Sequence, residues 1–164
     1  MKKSERLTIE KNTLEKTESD FEYLQAILDK YDDLWKMEPE KFMENFNESQ
    51  ITLLFYGVLY NQVQNGGFLQ LIFNGYAPYI FSEPMVNGLK EFGAVATAEL
   101  IKSITNTCLQ IANKIDKTSL KSLSKNYSQY PEFEDYDNAF YANNGLKEVR
   151  NYVSLNLSNY ITIE

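Results

Sequence analysis

Histidine is absent from this 164-residue chain. That absence removes Ser-His-Asp and Cys-His catalysis, His-based zinc sites and imidazole pH switching. Cysteine occurs once, at Cys108, so no internal disulfide can form and the default setting is reducing and cytoplasmic. In such a setting the Asn-x-Ser triplets at Asn47, Asn126 and Asn156 are incidental. No secretory leader is visible, since Met1 to Arg6 runs into polar sequence. Long apolar runs are also missing: the most apolar stretch, Ile51 to Tyr60, is far short of the roughly 20 residues a bilayer span needs. Phosphate-binding glycine loops are absent, because the one Gly-Gly pair, Gly66-Gly67, lacks both the Walker lysine and the dinucleotide-fold spacing. There is no EF-hand spacing, and no metal or cofactor is expected. Basic excess is lacking too. With 16 Lys and Arg against 23 Asp and Glu, the net charge is −7, which argues against nucleic acid as a direct ligand.

What is present is apolar and aromatic. Hydrophobic residues make up 43% of the chain, enough for one domain with its own core. Residues 1–18 are mixed in charge and weakly periodic, and read as a flexible or loosely docked arm ahead of a single helical domain over 19–164. Ser19-Asp20-Phe21-Glu22 is a capping box, and Phe21, Leu24, Ile27, Leu28, Tyr31, Leu34 and Trp35 follow at helical spacing. Pro39 suits the first turn of a short helix carrying Phe42, Met43 and Phe46. Tyr76-Ala77-Pro78 reads as a turn, and Ser82-Glu83-Pro84 opens a helix ending near Gly88 or Gly93. Ala94 to Ile115 is a long helix with Cys108 on its apolar stripe, hence a core residue. A short helix falls within 118–130, and Leu146 to Tyr160 closes the chain, capped by Asn144. Strand alternation is confined to Tyr160-Ile161-Thr162-Ile163. The fold class is all-α.

The chain is organised around Tyr60 to Asn74. Ile51 to Val63 reads as a helix packed on several sides, opened by an Asn47/Gln50 capping box. Asn65-Gly66 is expected to close it in the left-handed conformation, with Gly67 letting the chain turn and approach another backbone. Phe68 to Phe73 then forms a second short helix, stopped by Gly75. The result is a helix–Gly-Gly–helix corner carrying the amides Gln62, Asn65, Gln70 and Asn74. These side chains either satisfy backbone groups at the corner or, with Gly66, Gly67 and Phe68, line a small polar pocket.

The run Val63-x-Asn65-Gly66-Gly67-Phe68-x-Gln70-x-x-x-Asn74, with Phe92-Gly93-Ala94 after it, resembles the family typified by the C-terminal domain of bacterial DNA-mimic proteins. Asp135-Tyr136-Asp137-x-x-Phe140-Tyr141, then Val153 and Tyr160, is similar to that family's second signature. Most members have no assigned function. The likeness covers about residues 45 to 160, and Gln62 stands where members carry an acid. The resemblance implies an all-helical fold, and DNA mimicry characterises particular members.

Charge sits at the ends. Residues 1–50 carry 8 basic and 13 acidic side chains, residues 51–130 carry 6 and 4, and residues 131–164 carry 2 and 6. The densest cluster is Glu132, Glu134, Asp135 and Asp137, interleaved with aromatics such as Tyr136. It reads as an acidic first helical turn complementing the dipole, as a face that steers a basic protein partner or, with least support because no EF-hand spacing is present, as a metal or carboxylate-pair site. The leading functional expectation is a non-enzymatic interaction protein presenting acidic, Tyr-rich surface to a basic, DNA-binding protein. The alternative is a small-molecule-binding domain with its pocket at the Asn-Gly-Gly-Phe-x-Gln corner. A hydrolase built on carboxylates alone stays open, and the aromatic content is compatible with a homodimer.

Overall fold

The computed structural model describes residues 7–118 and 120–164. The expected arm at 1–18 thus lies partly outside the described residues, over 1–6. Among the described residues the order is β1 (Leu7–Ile9), α1 (Lys11–Glu15), α2 (Asp20–Met37), α3 (Pro39–Asn45), α4 (Glu48–Phe73) and α5 (Ala77–Ile80). Then come α6 (Glu83–Glu91), α7 (Val95–Ala112), α8 (Leu120–Gln129), α9 (Phe133–Ala142), α10 (Leu146–Leu155), a 3-10 turn at Leu157–Asn159 and β2 (Ile161–Ile163). The protein is all-α, as composition and periodicity predict.

The capping chemistry follows the sequence closely. Asn47 Oδ1 accepts from Gln50 N at 2.8 Å, and Gln50 Oε1 accepts from Asn47 N at 3.0 Å, a complete capping box for α4. Ser19 accepts from Glu22 N, but the return arm of Glu22 reaches Glu18 N, one residue earlier than the box requires. The N-cap of α10 is Gly145, and Asn144 just before it accepts through Oδ1 from Leu146 N, the first amide of the helix, at 3.0 Å.

Helix α4 is the spine. Leu53, Leu59, Val63, Phe68, Leu69, Leu71 and Ile72 have no measurable exposure, because α2, α5, α6, α7, α8 and α9 all pack on it. A helix surrounded in this way needs no polar face. Two crossings depend on small residues. A Cβ on Gly57 would lie 2.6 Å from Leu28 Cδ1 of α2, and one on Gly88 of α6 would lie 3.0 Å from Thr52 Cβ.

Three expectations are corrected. Tyr76-Ala77-Pro78 is not a plain turn: Pro78 sits in the first turn of α5. The closing helix stops at Leu155, giving way to the 3-10 turn and β2. Residues 7–9 form a strand parallel to β2, with Leu7 opposite Ile161 and Ile9 opposite Ile163, and Ile9 and Leu14 are buried. The partner of β1 is at the far end of the chain, beyond the reach of local periodicity. Tyr31 Oη fixes this closure by donating to Tyr160 O at 3.0 Å.

Candidate functional site

The Gly-Gly corner joins two helical segments across a kink, as the sequence predicts. The backbone leaves helical angles at Gly66 (φ −161°, ψ 18°) and Gly67 (φ 76°, ψ −177°), so α4 consists of two helical arms that meet at a kink. The expected left-handed closure at Asn65-Gly66 therefore does not occur. The positive φ falls on Gly67, in a region essentially reserved for glycine. Gly67 faces side chains and not another backbone: a Cβ there would lie 2.7 Å from Asp137 Cγ.

Breaking a helix exposes backbone groups that need partners, and the second signature segment supplies them together with Tyr127. Asp137 of α9 accepts from Phe68 N at 2.8 Å. Tyr127 of α8 donates to Gly66 O, and its hydroxyl lies 3.3 Å from Asp137 Oδ2. Tyr141 Oη donates to Val63 O at 3.1 Å. Phe68, fully buried, meets Phe140 edge-to-face at 5.8 Å. The two motifs of the sequence are thus halves of one lock.

Asp137 is only 7% exposed, so the placement of this residue in a partner-facing patch is corrected. Burial raises its carboxyl above the usual range, opposed by the Phe68 amide and the Tyr127 hydroxyl. The proton count points the same way. Tyr127 has one hydroxyl proton for two acceptors, Gly66 O and Asp137 Oδ2. A proton on Asp137 would donate to Tyr127 Oη and complete the set. Tyr127 is itself pushed up, by burial first and then by Asp137.

The corner amides bond mainly to each other. Gln62 Oε1 accepts from Gln70 Nε2 at 3.2 Å and from Asn74 Nδ2 at 2.7 Å, clamping the two arms of α4, while Asn65 is exposed. Gln62 serves as an acceptor, which is the role a carboxylate could also fill at that position. Cavities of about 550 Å³ and 330 Å³ lie elsewhere. The first lies between α4 and α5–α6, and the second lies where α7 and α10 begin. Neither is lined by Gln62, Asn65, Gly66, Gly67, Phe68, Gln70 or Asn74.

The rest of the acidic cluster faces outward. Glu132, Glu134 and Asp135 are exposed, and Tyr136 is half-buried with its ring edge-to-face on Phe133 at 5.2 Å. The first amides of α9 are served by backbone carbonyls of Tyr130, Pro131 and Glu132, and Glu132 makes no side-chain cap. Among the described residues, Glu132, Glu134 and Asp135 take part in no hydrogen bond or ion pair through their side chains. Tyr127, which the sequence shows only as one aromatic in a polar connection, was the residue missed; its one signal is an aromatic within a segment otherwise rich in Ser and Lys.

Fold and site together define an acidic all-α protein whose second signature locks a Gly-Gly bend in its central helix. Residues 44–161 match the family described as DMP19-like protein, and the chain belongs to that family. It is 33% identical over 100 residues to the DNA mimic protein DMP19 of Neisseria meningitidis serogroup B (strain ATCC BAA-335 / MC58). That alignment covers 58% of this chain and 59% of the relative. Among the described residues, no helix is long and apolar enough to cross a membrane.

Proposed function

We propose that this protein is a non-enzymatic, cytoplasmic interaction protein that occupies the DNA-binding surface of a basic partner. The outer face of α9 is the contact. The observation that carries this reading is that Glu132, Glu134 and Asp135 are exposed and, among the described residues, unpaired, at the start of a helix anchored from within by Asp137 and Phe140. Unpaired carboxylates keep their field for a partner, whereas paired ones spend it locally. Rigid aromatics beside fixed charge, here Tyr136 on Phe133, are also suited to an interface. The name of the Neisseria relative, a DNA mimic protein, supports mimicry of DNA in particular.

The test is affinity capture from source-cell lysate at low and high salt, with wild type beside a Glu132→Gln, Glu134→Gln, Asp135→Asn variant. Wild type should retain a basic DNA-binding protein at low salt and release it at high salt, and the variant should not retain it. Recovery of the same proteins by both would remove α9 as the contact. Recovery of no salt-sensitive basic protein by either would remove the reading.

A further inference from the structure

The groove between α4 and the α5–α6 segment has no role in the lock or on the α9 face. We propose that it is a second contact for the protein partner, seating an apolar side chain of a lysine- or arginine-bearing segment. This deepens the preceding reading and rests on it for the partner's basic character. The groove encloses about 550 Å³, within the roughly 300–1,000 Å³ typical of ligand sites. Its apolar wall is preorganised: Tyr79 stacks on Phe55 at 4.9 Å with the rings 10° from parallel. Tyr79 is nonetheless 46% exposed, and Met43 across the opening is 44% exposed. Apolar side chains left open beside a concavity mark interaction sites more often than scattered ones do.

Charge selects the occupant. Glu48, Glu83 and Glu91 contribute to the lining, and none of the fifteen lining residues is Lys or Arg. Glu91 is held in place by the Tyr152 hydroxyl, which donates to its Oε1 at 2.8 Å. The basic residues next in sequence bond to acids outside the lining, Lys90 to Glu99 at 2.7 Å and Lys41 to Glu38 at 2.8 Å. Three carboxylates around an apolar cleft repel anionic ligands and attract a segment in which lysine or arginine flanks an apolar anchor.

The test uses the full chain and a fluorescein-labelled peptide of leucine and lysine at helical spacing, read by anisotropy. A control peptide of the same charge carries serine in place of leucine. Wild type should bind the leucine peptide in a salt-sensitive way and at least about tenfold more tightly than the serine peptide, about 1.4 kcal/mol. Tyr79→Ser and Glu83→Gln should each weaken the leucine peptide several-fold. The Glu132→Gln, Glu134→Gln, Asp135→Asn variant should bind it as wild type does, and circular dichroism should show all variants folded. Equal binding of both peptides, no binding of either, or groove variants indistinguishable from wild type would overturn the proposal. Sedimentation that shows Tyr79→Ser dissociating a dimer would do the same, since a second copy would then occupy the groove. The two readings fail separately. If lysate capture succeeds and is unchanged by Tyr79→Ser, the groove fails and the α9 reading stands. If capture finds no basic partner while the peptide result holds, the groove remains and the identity of its occupant as the DNA-binding partner falls.

Discussion

Replacing Gly67 with alanine tests the lock at its centre. At φ 76°, ψ −177° a residue with a Cβ pays about 1–3 kcal/mol in backbone strain. The new Cβ would lie 2.7 Å from Asp137 Cγ, so the carboxylate must withdraw. It then gives up the 2.8 Å bond from Phe68 N, and an unpartnered buried amide costs about 1–3 kcal/mol more. The total, about 2–6 kcal/mol, is a large share of the roughly 5–15 kcal/mol that holds a domain together. At about 2–4 °C per kcal/mol for a chain of this size, the melting temperature should fall by about 10 °C. Gly75→Ala is the control, because Gly75 also has positive φ (87°) but a Cβ there meets nothing within 4 Å. Its loss should be confined to backbone strain. In a double-mutant cycle with Asp137→Ala, the cost of Gly67→Ala should shrink, since the group it displaces is gone. Equal losses for Gly67→Ala and Gly75→Ala, with additive behaviour in the cycle, would refute the lock.

The remaining predictions use the same structure. The raised Asp137 carboxyl means that the folded state holds its proton to higher pH than the unfolded chain. Its contribution is therefore full below the unfolded value, near 3.9, and is lost as pH rises through the folded value. Melting temperatures followed upward from pH 4 should thus fall for wild type relative to Asp137→Asn, whose amide can donate to Tyr127 at every pH; parallel curves would contradict this. Gln62→Ala removes the acceptor shared by Gln70 and Asn74, and in this half-exposed cluster chemical denaturation should register about 0.5–1.5 kcal/mol. Burial pushes the Cys108 thiol up, so iodoacetamide should label it only at the rate of unfolding. Neutralising Glu132, Glu134 and Asp135 together should move stability by no more than about 0.5 kcal/mol, measured by the same denaturation.

What could be read in the sequence was local chemistry. The Asn47/Gln50 box, the Asn144 bond to Leu146 N and the buried stripe through Cys108 are set by spacings of two to four residues, and each is found where spacing puts it. What could not be read depended on distant partners. Gly67 carries the positive φ because Asp137 and Tyr127, 70 and 60 positions away, take up the groups around the break. Charge counting treats Asp137 like its neighbours, yet the helical repeat that points Glu134 and Asp135 to solvent points Asp137 and Phe140 inward. The β1–β2 pairing joins the two ends of the described chain and has no local signal at Leu7–Ile9 beyond two β-branched residues, Thr8 and Ile9. The groove acids come from two helices, Glu48 from α4 and Glu83 and Glu91 from the two ends of α6, so only the folded chain brings Glu48 to the same cleft as the other two.

The most direct test of DNA-like recognition is competition. A basic partner captured at low salt should be released by added duplex DNA at the same ionic strength, and wild-type protein should in turn displace that partner from duplex. If the partner stays bound under excess duplex and forms a ternary complex with DNA, the acidic face does not occupy the DNA-binding surface, and the account fails at its centre.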